Sequence, residues 1–193
     1  MRNALGVFCM IIIVACSCKN NTQKNGQEKK DEKKNFFPVN DYLKSEIQYV
    51  DSLPVGIKRY STFGDKTDTA YIQSPEFNLI AKDFVCPELN PDIFEKEFSE
   101  TSFIDETTHA ATFTYATKNN KLELQRVDVL AATGDGLNKV SSVYLEKTIH
   151  KNDTLILKKL LWRTRTSFQI VTSTQISNQT PVVKQLKLVW GIE

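Results

Sequence analysis

Histidine is scarce in this chain: His109 and His150 are the only two among 193 residues. That leaves little material for a Ser-His-Asp triad, and no G-x-S-x-G elbow is present to seat a serine nucleophile. No Cys-x-x-Cys pair occurs, which removes the usual zinc and dithiol arrangements. The N-terminal apolar run, Ala4 to Ala15, has twelve residues. It amounts to about 18 Å of helix, where a bilayer core needs about 20 residues. A basic excess is also missing. Residues 35 to 193 carry 18 Lys and Arg against 20 Asp and Glu, a net of −2, so bulk charge does not point to a nucleic-acid partner. The glycines of "TGDG", Thr133 to Gly136, come without a Walker lysine and do not open a helix, so they read as a hairpin loop.

What is present is ordinary for one folded domain with an appendage: 40% hydrophobic and 25% charged residues in 193. Arg2 followed by the apolar run reads as the start of an export signal. The run ends in "IVAC", Ile13 to Cys16. This tetrad resembles the bacterial lipoprotein signal: an aliphatic residue, a small or aliphatic one, a small one, then cysteine. The resemblance implies diacylglycerol on the Cys16 sulfur, cleavage before Cys16 and acylation of the new amine. Cys18 fits the signal less well, because Ala15 and Cys16 then stand where an aliphatic and a small residue are preferred. The implied organisation is a signal peptide over 1–15, a lipidated cysteine with a disordered tether over 16–35, and a single globular domain over 36–193. One acyl chain binds a membrane marginally, whereas two or three anchor it, at about 0.8 kcal/mol per buried CH₂. The partner so implied is the membrane itself, through palmitate-type acyl chains.

Lys19 to Asn35 has no apolar side chain, and six lysines against three acids. It cannot bury enough surface to fold, and 17 flexible residues reach roughly 23 Å. Its Asn, Lys and Gln content is similar to that of Bacteroidota lipoproteins, which supply no functional residues to carry over. In that group an acidic cluster after the cysteine marks surface export. Ser17, Cys18, Lys19 and Asn20 form no such cluster, so the implied location is the outer membrane, facing the periplasm. With Cys9 in the signal and Cys16 lipidated, Cys18 and Cys86 remain. Pairing is open to an exported protein, but the apolar setting "FVCPEL" reads as a buried, free Cys86.

Periodicity predicts the domain. Val39, Leu43, Ile47 and Val50 recur near every 3.6 residues within Pro38 to Pro54, giving a helix capped by Asn40 or Asp41 and ending near Asp51. A hairpin follows around Gly64 and Asp65. Pro75 opens a helix burying Phe77, Ile80, Ala81 and Phe84, and Asn90 with Pro91 opens another burying Ile93, Phe94 and Phe98. From Thr101 the period becomes two. His109, Ala111, Phe113 and Tyr115 share a face, Asn119-Asn120 signals a type I′ turn, and a phase change near Gln125 and Arg126 signals a β-bulge. Six strands result, giving an α+β fold: N-terminal helices packed on a curved antiparallel meander whose curling gives a half-barrel form.

The strand from Thr154 to Arg165 is apolar on both faces: Leu155, Leu157 and Leu161 on one, Ile156, Leu160 and Trp162 on the other. The concave side is then either filled core or a ligand cleft lined by Leu160, Trp162 and Trp190. His109 with Asp105 and Glu106 is a turn leading into a strand, the alternative being a metal site. "DSL", "DTA" and "DTL" resemble the O-glycan acceptor motif of Bacteroidota exported proteins, with hydroxyls at Ser52, Thr69 and Thr154. No catalytic residue, cofactor or metal ligand stands out. Two functional readings follow: a non-enzymatic binding or carrier module for an apolar ligand or lipid, similar in architecture alone to the LolA and LolB lipoprotein carriers, or a structural subunit of an envelope assembly with a protein partner and no cavity.

Overall fold

A computed structural model describes residues 36–133 and 139–191. The signal, the Cys16 lipidation site, the tether and most of "TGDG" lie outside the described residues. Three α-helices and nine strands alternate in an order that begins with α1 (Val39–Ser52) and the hairpin β1 (Ile57–Phe63) and β2 (Lys66–Ile72). Next come α2 (Ser74–Ala81), two 3-10 turns, and α3 (Pro91–Glu97). Seven strands complete it: β3 (Phe98–Asp105), β4 (Ala110–Thr117), β5 (Leu124–Ala132), β6 (Lys139–Lys151), β7 (Thr154–Arg163), β8 (Ser167–Ile176) and β9 (Val182–Val189).

All nine strands form one open antiparallel sheet in the order β2-β1-β9-β8-β7-β6-β5-β4-β3. The α+β class and the antiparallel meander are observed, but the sheet has nine strands and not six. Two causes account for the difference. Phe98 looks like the last apolar position of α3, yet it opens β3, an edge strand whose residues 99–104 are all exposed and therefore show no period-two burial signal. The early hairpin joins the same sheet because β1 pairs with β9, from Lys58↔Val189 to Phe63↔Lys184. A pairing across that sequence distance leaves no local pattern to read.

The helices cover one face of the sheet. Phe77 of α2 and Phe84 of the following turn meet Trp162, Phe168 and Trp190 at ring separations of 5.0–6.3 Å. Phe36, Phe94, Phe98 and Tyr115 form a second aromatic group at 4.9–5.3 Å. Asn90 caps α3 by accepting from the Asp92 N–H at 3.2 Å, with Pro91 at the first helical position where its missing N–H costs nothing. Helix α1 begins earlier than its cap signal, so Asn40 and Asp41 lie inside it and Pro38 stands at the cap position without a side-chain bond; its apolar stripe is Val39, Leu43 and Val50 with Glu46, and Ile47 is only half-buried. On α3, Ile93 is exposed while Phe94 faces in.

Two turns depart from their sequence signals. The β4–β5 link runs from Lys118 to Glu123, and neither Asn119 nor Asn120 has the positive φ a type I′ turn requires. Instead the Asn119 side chain accepts from the Lys121 N–H at 3.1 Å and donates to Glu97 at 3.0 Å. The bulge is where the phase change puts it, with a register shift between Leu124 and Arg126, and Glu88 accepts from the Glu123 and Leu124 N–H groups beside it. Thr69 lies in the middle of β2, whereas Ser52 and Thr154 lie at element ends.

Candidate functional site

The cleft residues expected from the sequence come first. Leu160 and Trp162 are fully buried and Trp190 is 7% exposed. All three face the helices. Trp162 packs on Phe84 at 5.1 Å, on Phe168 at 5.2 Å and on Trp190 at 5.3 Å. Its indole N–H donates to Glu46 of α1 at 3.3 Å. Around these three residues the helix side is filled core, and none of them lines a pocket. His109 is exposed at positive φ beside an Asx turn, in which Asp105 accepts from the Thr107 and Thr108 N–H groups at 2.9 and 3.3 Å. Those bonds hold the Asp105 carboxyl below its ordinary range, the Thr108 hydroxyl contributing most. His150 is exposed near the end of β6. Cys86 is buried and free, and burial pushes its thiol up to about 11.

The opposite face of the sheet is covered by no described element. Its composition follows from the strand registers, because residues paired across an antiparallel ladder project to the same side. The row Tyr144–Leu161–Gln169–Lys187–Tyr60–Thr69 crosses six strands on this face. The next row places Glu146, Lys159, Val171, Gln185, Thr62 and Thr67 side by side. A third runs Ser142–Arg163–Ser167–Val189–Lys58–Tyr71.

Charge is divided along this face. Strands β7, β8, β9, β1 and β2 contribute Lys58, Lys159, Arg163 and Lys187, and no acid. Strands β3 to β6 contribute Asp105, Asp128 and Glu146 with Arg126 and Lys139. There Arg126 pairs with Asp128 at 2.9 Å, and Thr114 donates to Asp128 at 2.7 Å. Tyr144 donates to Glu146 at 3.1 Å, and burial together with that carboxylate pushes its hydroxyl up to about 12. On the basic half, the Lys58 ammonium lies 5.0 Å from the centre of the Tyr60 ring, and the bond to the Tyr60 hydroxyl holds it charged above its ordinary range.

Two clefts open on the basic half and meet at Lys187. One, of about 280 Å³, is lined by Tyr60, Thr62, Thr67, Gln185, Lys187 and Val189. The other, of about 50 Å³, is lined by Leu161, Arg163, Ser167, Gln169 and Lys187. On the helix side an apolar pocket of about 330 Å³ lies at the other flank, between Phe36, Phe37 and Pro38 and the sheet residues Phe113, Tyr115, Val129, Ala131 and Val140. Neither site was singled out from the sequence. Their signal is the alternation in β7 to β9, which sends Lys159, Gln169, Gln185 and Lys187 to the side opposite Leu160, Phe168 and Leu188. Among the described residues no group of three His, Cys, Asp or Glu is placed to hold a metal ion, and no helix is long and apolar enough to cross a membrane. Comparison with family models, with curated proteins and with solved structures finds no match for this chain.

Proposed function

We propose that the chain is a membrane-anchored lipoprotein of the cell envelope, acylated at Cys16, whose domain is a non-enzymatic binding module acting through the uncovered sheet face. The observation that carries the binding part is the division of labour between the two faces. One is packed with aromatic core around Trp162, and the other is left open, with basic, amide, hydroxyl and tyrosine side chains among scattered leucines and valines over two clefts. Adjacent strands twist by roughly 20–25°, so nine of them give a partner a curved wall, and the half-barrel form expected from the sequence belongs to this reading. The membrane-anchored part rests on "IVAC" and its apolar run. In this reading the anchor is in the outer membrane, facing the periplasm.

The face is tested by placing a photo-reactive benzoylphenylalanine at Gln185 or Thr67, and for comparison at Lys44 on α1, in cells. Adducts at the two sheet positions and not at Lys44 support the reading, and adducts at Lys44 alone overturn it. The anchor is tested by feeding labelled palmitate. Wild type takes up label and Cys16→Ala does not; equal labelling of both removes the lipidation assignment.

A second reading keeps the carrier role and moves it to the apolar pocket under Phe36 and Phe37, in place of the Trp162 face. A ligand there shows as extra mass in native spectra that vanishes on denaturation, and Val129→Trp abolishes it. Retention of that mass in the variant sinks this second reading.

A further inference from the structure

We infer that the basic half of the uncovered face holds an anionic polysaccharide chain, laid across strands β7, β8, β9, β1 and β2. The inference rests on the binding reading above and names the ligand class of that same face. Three features carry it.

The first is charge complementarity. The domain from residue 35 onward has two more acids than bases, yet the five strands of this half-face contribute Lys58, Lys159, Arg163 and Lys187 and no acidic side chain, with Glu146 of β6 beside Lys159 at its border. A surface so sorted against the average of its own domain attracts a negative ligand. The second is the hydrogen-bonding inventory. Between the cations stand the hydroxyls of Thr62 and Thr67, bonded to each other at 2.9 Å, and the carboxamides of Gln169 and Gln185. Hydroxyls and carboxamides both donate and accept. Sugar hydroxyls do the same, whereas acidic side chains only accept and would leave the carboxamide N–H and C=O groups unequally used. The third is the dispersal of the apolar side chains: Leu155, Leu157, Leu161, Val171 and Val183 are spread over three strands of this half-face, and each cleft is lined by a single aliphatic residue. Protein interfaces concentrate their energy in buried aromatic and Arg clusters around an apolar centre. The larger cleft has instead one tyrosine ring, Tyr60, at its wall and Val189 as its one aliphatic residue. A ring over which a sugar face can lie, flanked by polar groups, suits a saccharide. The two clefts meet at Lys187, so the site is elongated across the strands, as a chain ligand requires.

The test uses the full chain in detergent, titrated calorimetrically with three probes: oligogalacturonate, the neutral oligomer maltohexaose, and poly-glutamate of charge equal to the oligogalacturonate. The wild type is expected to bind oligogalacturonate, and to bind poly-glutamate and maltohexaose more weakly. Lys58→Ala with Lys187→Ala is expected to lower oligogalacturonate affinity by about tenfold, as removal of two complementary charges does. Gln185→Ala is expected to weaken it without altering the salt dependence, since it removes hydrogen bonds and no charge. Lys184→Ala, which projects to the helix side, is the control for charge alone, and the lysine-rich segment 19–34 is common to every variant. Equal loss in Lys184→Ala, or tighter binding of poly-glutamate, overturns the glycan inference. Hydrogen exchange separates the two levels. Protection of β1, β8 and β9 by poly-glutamate alone keeps the face and removes the glycan, whereas protection of none of them by any probe removes the glycan inference while the photo-crosslinking result decides the face. Thermal melts confirm that each variant is folded, and Gln185→Ala, which changes no charge and lies on an exposed position, remains informative if the double variant is not.

Discussion

Removing the Glu46 carboxylate tests whether the junction of α1 with the β7–β8 corner is held by polar bonds as well as by packing. Glu46 is 2% exposed. One of its oxygens accepts from the Trp162 indole N–H at 3.3 Å and from the Arg165 backbone N–H at 3.0 Å; the other faces the Arg165 guanidinium at 3.2 Å. Arg165 sits at φ 64 and lays its guanidinium 3.7 Å from the centre of the Tyr49 ring, so the corner closes against the helix from two sides. In Glu46→Ala, two N–H groups lose their partner, each costing about 1–3 kcal/mol when buried. The Arg165 side chain is half exposed, so its ion pair adds only about 0–1 kcal/mol. The total is roughly 2–7 kcal/mol, or a fall in melting temperature of roughly 4–28 °C for a domain of this size. Glu46→Gln behaves differently. A glutamine oxygen at the first position keeps both N–H partners, and the amide NH₂ faces only the half-exposed guanidinium, which can turn to water. Its cost should be about 1–2 kcal/mol. Urea unfolding followed by tryptophan fluorescence at constant slope measures both. A Glu46→Ala cost under about 1 kcal/mol, or equal costs for Ala and Gln, refutes the reasoning.

Other expectations are as direct. Both tryptophans are buried, so acrylamide should quench the native fluorescence weakly, and Trp162→Ala should cost about 3–5 kcal/mol in urea unfolding. Gly191→Ala should destabilise by about 1–3 kcal/mol, because its Cβ would stand 2.5 Å from the Arg165 carbonyl oxygen and 2.9 Å from the Thr166 Cα. Gly64→Ala meets nothing within 4 Å and carries only the strain of φ +56, about 1 kcal/mol, so thermal melts should rank the two variants in that order. The Cys86 thiol, pushed from 9.0 up to about 11, should resist a thiol reagent at pH 8 until denaturant is added. The same shift makes the folded state bind the proton more tightly than the unfolded chain. The stability it confers is complete below about pH 9 and is lost as pH rises to about 11, by about 2–3 kcal/mol, and Cys86→Ala should flatten that fall in pH-dependent unfolding. On the β3 edge, Phe103 and Ile104 are 68% and 62% exposed. Ile104→Lys should therefore lower concentration-dependent association, read by light scattering, and leave the melting temperature nearly unchanged.

Local chemistry made much of this architecture legible without coordinates. Val39, Leu43 and Val50 mark α1, Pro75 and Pro91 open α2 and α3, and the period-two runs mark β4 to β9. In each of these the burial pattern and the backbone period lie within one element, so a short window contains the whole signal. The bulge at Leu124 to Arg126 is legible for the same reason, since a phase slip in one strand is a local event. What only the tertiary structure decided involves partners distant in the chain. The β1–β9 pairing unites the early hairpin with the meander, and β3 becomes a strand because β4 offers it an edge. Glu46, a carboxylate on the apolar stripe of α1, is placed there by an indole 116 residues away. The twofold apolar character of β7 is resolved in the same way: the helices claim Leu160 and Trp162, and Leu155, Leu157 and Leu161 are left on the open face among long polar side chains. The candidate face is legible only then, because alternation along one strand says that Lys187, Arg163 and Lys58 each project to one side of a ladder, and the registers between strands are what bring them to the same side of one sheet.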